Sequence, residues 1–276
     1  MKHQRQTFVA SFLLFVAIIL HSTRVRADEI EDEGGFDYIE GSPKGPQHWG
    51  ELKTEWATCK DGKMQSPIDL SCQHVKVLPC SANPLKTNYK PSKTTIVNRG
   101  HDISLRWEGD AGSIDINGTH FYLQQVHWHS PSEHSINGKR FNLEMHMVHP
   151  TKEADGNKKI AVVGLLFEIG SPDPLLSKLS KHMLRLAKRN DEKKVGVIDP
   201  SEINRGGESY YRYIGSLTTP PCSEGVIWTI DPKIRTVSRE QIKTLREAVH
   251  EDAESNARPQ HPLNGRDLLL YGSEKN

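Results

Sequence analysis

The chain lacks several features that would have pointed its reading elsewhere. It has no excess of charge: 36 basic residues stand against 35 acidic ones in 276 residues, which leaves no electrostatic footprint for nucleic acid or an anionic membrane. None of its four cysteines forms a Cys-x-x-Cys pair, so a cysteine zinc site is not indicated. No stretch rich in proline, glycine or serine divides the chain, and no internal repeat is visible. A length that permits two domains is therefore read as one, since all-β folds often run this long. Beyond Leu20 no apolar run is long enough to span a bilayer.

What is present begins with an address. Lys2 and Arg5 precede an apolar run from Phe8 to Leu20, and Val25-Arg26-Ala27 supplies a small-residue cleavage point. This is the pattern of a secretory signal over residues 1–27, and the run falls short of the roughly 20 residues of a membrane anchor. Residues 28–40 open with the acidic stretch Asp28 to Glu33 and are expected to be a disordered mature N-terminus. Residues 41–273 are the folded domain. An even number of cysteines suits an oxidising compartment, and four of them allow three pairings that spacing alone does not separate. Asn117-Gly118-Thr119 is the one Asn-x-Ser/Thr acceptor and a candidate glycosylation site.

From Thr94 onward, short alternating runs are separated by turn residues. Ile103 to Trp107 and Ser113 to Ile116 alternate, and Asn117-Gly118 after them signals a hairpin. Phe121 to His129, Asn142 to His149 and Ile160 to Ile169 read as further strands, the last nearly all apolar and so buried on both faces. Helical spacing is sparse: Leu175 to Lys188 after Asp173-Pro174, and Ser238 to His250 with Ser238 as cap. The expected fold is mainly β, one domain on a large, mostly antiparallel central sheet with a few peripheral helices.

The chemistry lies in Gln125-Val126-His127-Trp128-His129 and Glu144-Met145-His146-Met147-Val148-His149. Residues two apart on a strand share a face, so His127 and His129 project together, and His146 does so with Glu144 and Val148. If the two strands are neighbours, three imidazoles converge. Three histidines leave the fourth tetrahedral position of zinc open, the catalytic pattern. A liganding imidazole usually gives its second N–H to an oxygen, and Gln125 and Glu144 are of the right type for that. No fourth protein ligand is evident, which speaks against a structural zinc.

With these residues stand Gln65-Ser66-Pro67-Ile68-Asp69, Ser132-Glu133-His134, Gly215 through Pro221, and Arg258-Pro259 through Pro262-Leu263 and Arg266. From about Trp49 to Tyr271 the chain resembles an alpha-class carbonic anhydrase, and is most similar to the secretory members of plants. The resemblance implies that zinc-bound hydroxide reversibly hydrates carbon dioxide to bicarbonate and a proton, with one zinc ion per chain on His127, His129 and His146. It assigns Gln125 and Glu144 to orienting those ligands. It gives Thr218 a hydroxyl proton committed to Glu133, so that Thr218 aims the attacking oxygen, and it sets Thr219 against bicarbonate. Val148, Val162, Leu217 and Trp228 would line the recess for carbon dioxide. His101 would carry the proton to solvent.

The resemblance also implies a Cys59–Cys222 disulfide, after which Cys72 and Cys80 would pair locally. Two positions depart from the family pattern. Glu51 stands where a tyrosine is usual, and Arg99 replaces an asparagine of the cavity wall; both touch proton export rather than the zinc chemistry. The alternatives are a catalytically weak storage or binding protein on the same fold, and a zinc esterase. The expected partner is a small molecule, carbon dioxide or bicarbonate, with no nucleic acid and no membrane once the signal is removed; monomer and homodimer stay open. The expected location is the secretory pathway and the extracellular space, or the chloroplast by the secretory route.

Overall fold

A computed structural model of the chain describes residues 35–79, 85–153, 158–186, 188–203, 209–249 and 255–272. Its alternating runs become strands, numbered here along the chain. The ten-stranded sheet runs β13 (Glu192–Ile198), β4 (Ser92–Asn98), β5 (Ile103–Trp107), β8 (Gln125–His129), β11 (Leu143–Pro150), β12 (Ile160–Ile169), β15 (Glu224–Val237), β14 (Tyr210–Ser216), β16 (Leu268–Gly272) and β2 (Val75–Pro79). Only β12 with β15 and β16 with β2 pair in parallel, so the sheet is mostly antiparallel, as expected. Two small sheets flank it: β1 (Asp69–Leu70) with β9 (Ser135–Ile136) and β10 (Lys139–Arg140), and β3 (Lys86–Tyr89) with β6 (Gly112–Ile116) and β7 (Thr119–Tyr122). Among the described residues four α-helices lie outside the sheets: α1 (Trp49–Leu52), α2 (Thr58–Asp61), α3 (Pro174–Met183) and α4 (Arg239–Val249). No helix among the described residues is long and apolar enough to cross a membrane.

Alternation divides the large sheet into two faces. Val126, Trp128, Met145, Met147, Val163 and Leu165 point into one apolar core, which Leu176 and Leu179 of α3 and Leu245 of α4 cover. Val148, Val162, Leu166, Trp228 and Ile230 belong to a second cluster on the other face. A third gathers Phe36, Tyr38, Trp49 and Trp56 around the Cys59–Cys222 disulfide, which is formed as the resemblance implied. α4 starts with a reciprocal cap, the Ser238 hydroxyl accepting from Gln241 N at 3.2 Å and Gln241 Oε1 accepting from Ser238 N at 3.1 Å.

Several expectations need correction. Of the stretch expected to be disordered, residues 28–34 lie outside the described residues, and the rest is not disordered: Phe36 and Tyr38 are buried against Trp49, two aromatic rings supplying the apolar area the acidic residues lack. Phe121 to His129 is two strands rather than one, with Leu123 N donating to Gly112 O of the small sheet and Gln124 N donating to Val148 O of the large one. The chain passes between sheets there without interrupting its alternation. α3 ends at Met183, where shorter-range bonds such as Leu186 N to Met183 O tighten the chain into a turn. Cys72 is exposed, its thiol free among the described residues; Cys80, its expected partner, lies outside the described residues, as does the signal region 1–27. Asn117 is exposed at the β6–β7 turn with φ 53°.

Candidate metal centre

Register brings the three histidines together. β8 and β11 are antiparallel neighbours with His146 opposite His127 and Glu144 opposite His129. All three rings are buried, with centroids 5.0, 5.1 and 4.6 Å apart, and one nitrogen from each lies within 4.8 Å of the others.

An oxygen holds the remaining nitrogen of each ring. Gln125 Oε1 is 2.9 Å from His127 Nδ1, and Glu144 Oε1 is 2.8 Å from His146 Nε2. His129 Nδ1 meets the backbone oxygen of Asn256 at 2.7 Å. Sequence reasoning missed this third partner, because a backbone carbonyl more than a hundred residues away has no side-chain signature. These bonds turn Nε2 of His127, Nε2 of His129 and Nδ1 of His146 toward one another.

Glu144 is the anchor of the site. Its Oε1 also accepts from His134 Nδ1 at 2.7 Å, and its Oε2 accepts from the backbone N–H groups of Glu133 and His134 at 2.9 and 2.8 Å. Burial alone would raise its pKa, but His134 and His146 hold it well below the usual carboxylate range. His134, Glu144 and His146 therefore form a hydrogen-bonded network, extended through His134 Nε2 to Tyr213 OH at 2.7 Å. Gly164 makes room for it: a Cβ there would lie 2.5 Å from Ile230 Cδ1 and 3.1 Å from Glu144 Oε1.

The donor set fits zinc. Burial, with the Arg99 guanidinium second, pushes His127 well below the ordinary histidine pKa and keeps it in the neutral, ligating form. Two buried atoms at the cluster, His129 Nε2 and Glu133 Oε2, have no hydrogen-bond partner. Burial also opposes a charge on His129, yet the Glu133 carboxylate and the Asn256 carbonyl outweigh it and raise its pKa. Three imidazoles oriented by oxygens, with an acceptor beside them, are what a cation requires.

The expected Thr218–Glu133 bond is not formed. Glu133 Oε1 accepts from Arg258 N at 2.9 Å, while Oε2 is drawn toward the imidazoles, 3.7 Å from His129 Nε2 and 4.0 Å from His146 Nδ1. Thr218 and Thr219 are buried on the loop after Leu217. That loop is held by Leu217 N to Ser223 O, by Cys222 N to Thr219 O and by the disulfide. Val148, Val162 and Trp228 are aligned across three strands on the face of His146, and Leu217 joins their cluster. The Trp228 ring is 4.8 Å from that of His146.

His101 is 2 % exposed, its ring 5.2 Å from Phe36 and its Nε2 3.7 Å from Asp102 Oδ2. Arg99 is buried in a two-pronged ion pair with Asp102. Burial works against the Asp102 charge, but Arg99, His101 and His127 hold its pKa well down. Glu51 faces outward, bonded to Lys60 at 2.7 Å. Arg258, quoted in sequence only as part of a motif, is fully buried. Its guanidinium donates to Gln65 Oε1, Ser66 O and Cys59 O, tying the N-terminal segment beneath the site.

The family model for eukaryotic-type carbonic anhydrase matches residues 44–271. The chain belongs to that family. Carbonic anhydrase Nec1 of Nesocodon mauritianus is 50% identical over 272 residues, 98% of each chain. Alpha carbonic anhydrase 7 of Arabidopsis thaliana is 49% identical over 265 residues, 96% of this chain and 94% of that one. Among solved structures, dioscorin complexed with ascorbate superposes with a TM-score of 0.82 at 41% identity, covering 87% of this chain and 99% of that one. The family is zinc-dependent, and His127, His129 and His146 form a cluster that could hold a metal ion.

Proposed function

We propose that the protein is a zinc-dependent carbonic anhydrase, converting carbon dioxide and water to bicarbonate and a proton and back. The observation that carries this reading is the buried trio of imidazoles, each fixed by an oxygen, beside the apolar row of Val148, Val162 and Trp228. His127, His129 and His146 would hold one zinc ion, which when bound lowers the pKa of a water toward neutrality, an effect for which carbonic anhydrases are the standing example. The protein's own part is positional. The apolar row and Leu217 receive an apolar substrate and exclude water from it. Thr218 aims the attacking oxygen once its hydroxyl proton is given to Glu133 Oε2, and Thr219 faces the product. His101 takes the released proton, since an imidazole can accept a proton at one ring nitrogen and give one up from the other. Residues 1–27 direct the chain into the secretory pathway, and the disulfide suits an oxidising exterior. Asn117, exposed at its turn, is the assigned glycan acceptor.

A second reading is a weakly catalytic binding protein on this scaffold, favoured by the likeness to dioscorin, whose solved structure holds ascorbate. Zinc content, carbon dioxide hydration and ester hydrolysis measured on one preparation separate these readings. Stoichiometric zinc with hydration far above ester turnover supports the anhydrase. Substoichiometric zinc with negligible hydration favours the binding protein, and ester turnover equal to hydration favours the esterase.

A further inference from the structure

An arginine is almost never buried unless it is paired, and on β14 one is. Arg212 stands opposite Thr229 of β15, which in turn stands opposite Val163 of the core on the face away from the imidazoles. Arg212 is 7 % exposed and Thr229 2 %. Among the described residues the guanidinium has no ion pair and no hydrogen bond, and Arg212 Nε and Thr229 Oγ1 are both buried without a partner. Asp231, next along that face of β15, gives its carboxylate to Arg235 Nη2 and Lys233 N, each at 2.9 Å. The Arg212 guanidinium lies over the Tyr210 ring, 4.9 Å from its centre, and Tyr210 stacks on Tyr271 of β16 at 4.8 Å. A ring against the flat face of a guanidinium leaves the N–H edge for a ligand. Burial pulls the Arg212 pKa down, yet an arginine stays charged, and neutral phenols do not balance that charge. Ile214, two residues along β14, is 42 % exposed, and Leu269, opposite Arg212, is half-buried, so an apolar rim reaches solvent beside the cation.

We propose that Arg212 and Thr229 form a binding site for a monocarboxylate with a small apolar body, on the opposite side of the sheet from the imidazoles. Two parallel N–H groups of a guanidinium match the two oxygens of a carboxylate. The Thr229 hydroxyl, a cross-strand neighbour of Arg212 on the same face, supplies a third donor. One buried positive charge is balanced by one negative charge, whereas a phosphate dianion would leave a charge over in a poorly solvated place. The tyrosine rings, Ile214 and Leu269 favour an apolar substituent on the ligand, since its contact with them removes apolar surface from water. The site needs no zinc, so it goes beyond the anhydrase reading and does not depend on it.

The test is a titration of zinc-loaded protein, labelled with nitrogen-15 at arginine, with benzoate as the probe. The Arg212 Nε–H resonance, assigned by its loss in Arg212→Met, is followed. A saturable shift is expected, with inorganic phosphate binding at least about tenfold more weakly because of its second charge. Thr229→Val, which keeps the shape and deletes the hydroxyl, should weaken benzoate several-fold. Because an anion can also meet a metal at the imidazoles, the titration is repeated on His127→Ala, where the Arg212 shift should persist. Benzoate should also raise the unfolding midpoint of the parent and leave that of Arg212→Met unmoved. An Arg212 resonance that benzoate does not move overturns the site, as does a shift that disappears in His127→Ala. Equal affinity for phosphate and benzoate overturns the carboxylate assignment, and unchanged affinity in Thr229→Val removes Thr229 from the site.

Discussion

On β8 and β11, every second residue serves a candidate metal centre, and the residues between them serve the core. His127, His129, Glu144 and His146 face one way, and Val126, Trp128, Met145 and Met147 face the other. The two faces are equally buried but held by different physics. The apolar face gains from area removed from water and from close packing. On the polar face, burial is tolerable because most groups are answered: the Glu144 carboxylate alone receives four donors. Stability should therefore be concentrated on one face and metal affinity on the other, so substitutions one residue apart should separate them.

The largest stability effect is expected from a contact on neither face. Cys59→Ser opens a loop of 163 residues, worth ~5 kcal/mol in the chain-entropy treatment, and loosens the segment that carries Thr218. Denaturant unfolding under non-reducing conditions checks this; a loss below about 1 kcal/mol would show that the bridge is not what holds the loop. On the apolar face, Met147→Ala should cost about 2–5 kcal/mol while zinc content stays that of the parent. On the polar face, Glu144→Gln should weaken zinc by about 10–100-fold, read by competition with a chelating dye. Similar zinc affinities in these two variants would dissolve the distinction between the faces.

A smaller effect concerns acid. Burial, reinforced by Arg258 and Arg266, pulls His261 down from 6.5 to about 4. Between those values the unfolded chain binds a proton that the folded chain refuses, so stability falls as pH drops through this window and the loss levels off below about 4. His261→Asn should flatten that part of the curve, and an unchanged slope would place the acid sensitivity elsewhere.

The ligand trio was legible in the sequence because strand periodicity is strict: His127 and His129 had to share a face, and only the pairing of β8 with β11 remained to be learned. Gln125 and Glu144 were legible for the same reason. The carbonyl of Asn256 was not, since any residue type offers one. Arg258 was visible as a motif but not as a buried hub, because its partners lie about two hundred residues away. The break between β7 and β8 stayed hidden because alternation continues through the crossing between sheets. The orientation of Glu133 was beyond the sequence too: its second oxygen faces His129 and His146, which only the pairing of β8 with β11 brings together.

The central claim is that three imidazoles on adjacent strands hold the zinc that hydrates carbon dioxide. The most direct test measures zinc content and hydration rate together on the purified protein and on His127→Ala. The account predicts about one zinc per chain and rapid hydration in the parent, with both lost in a variant that still folds. A His127→Ala protein with the zinc content and rate of the parent would contradict it.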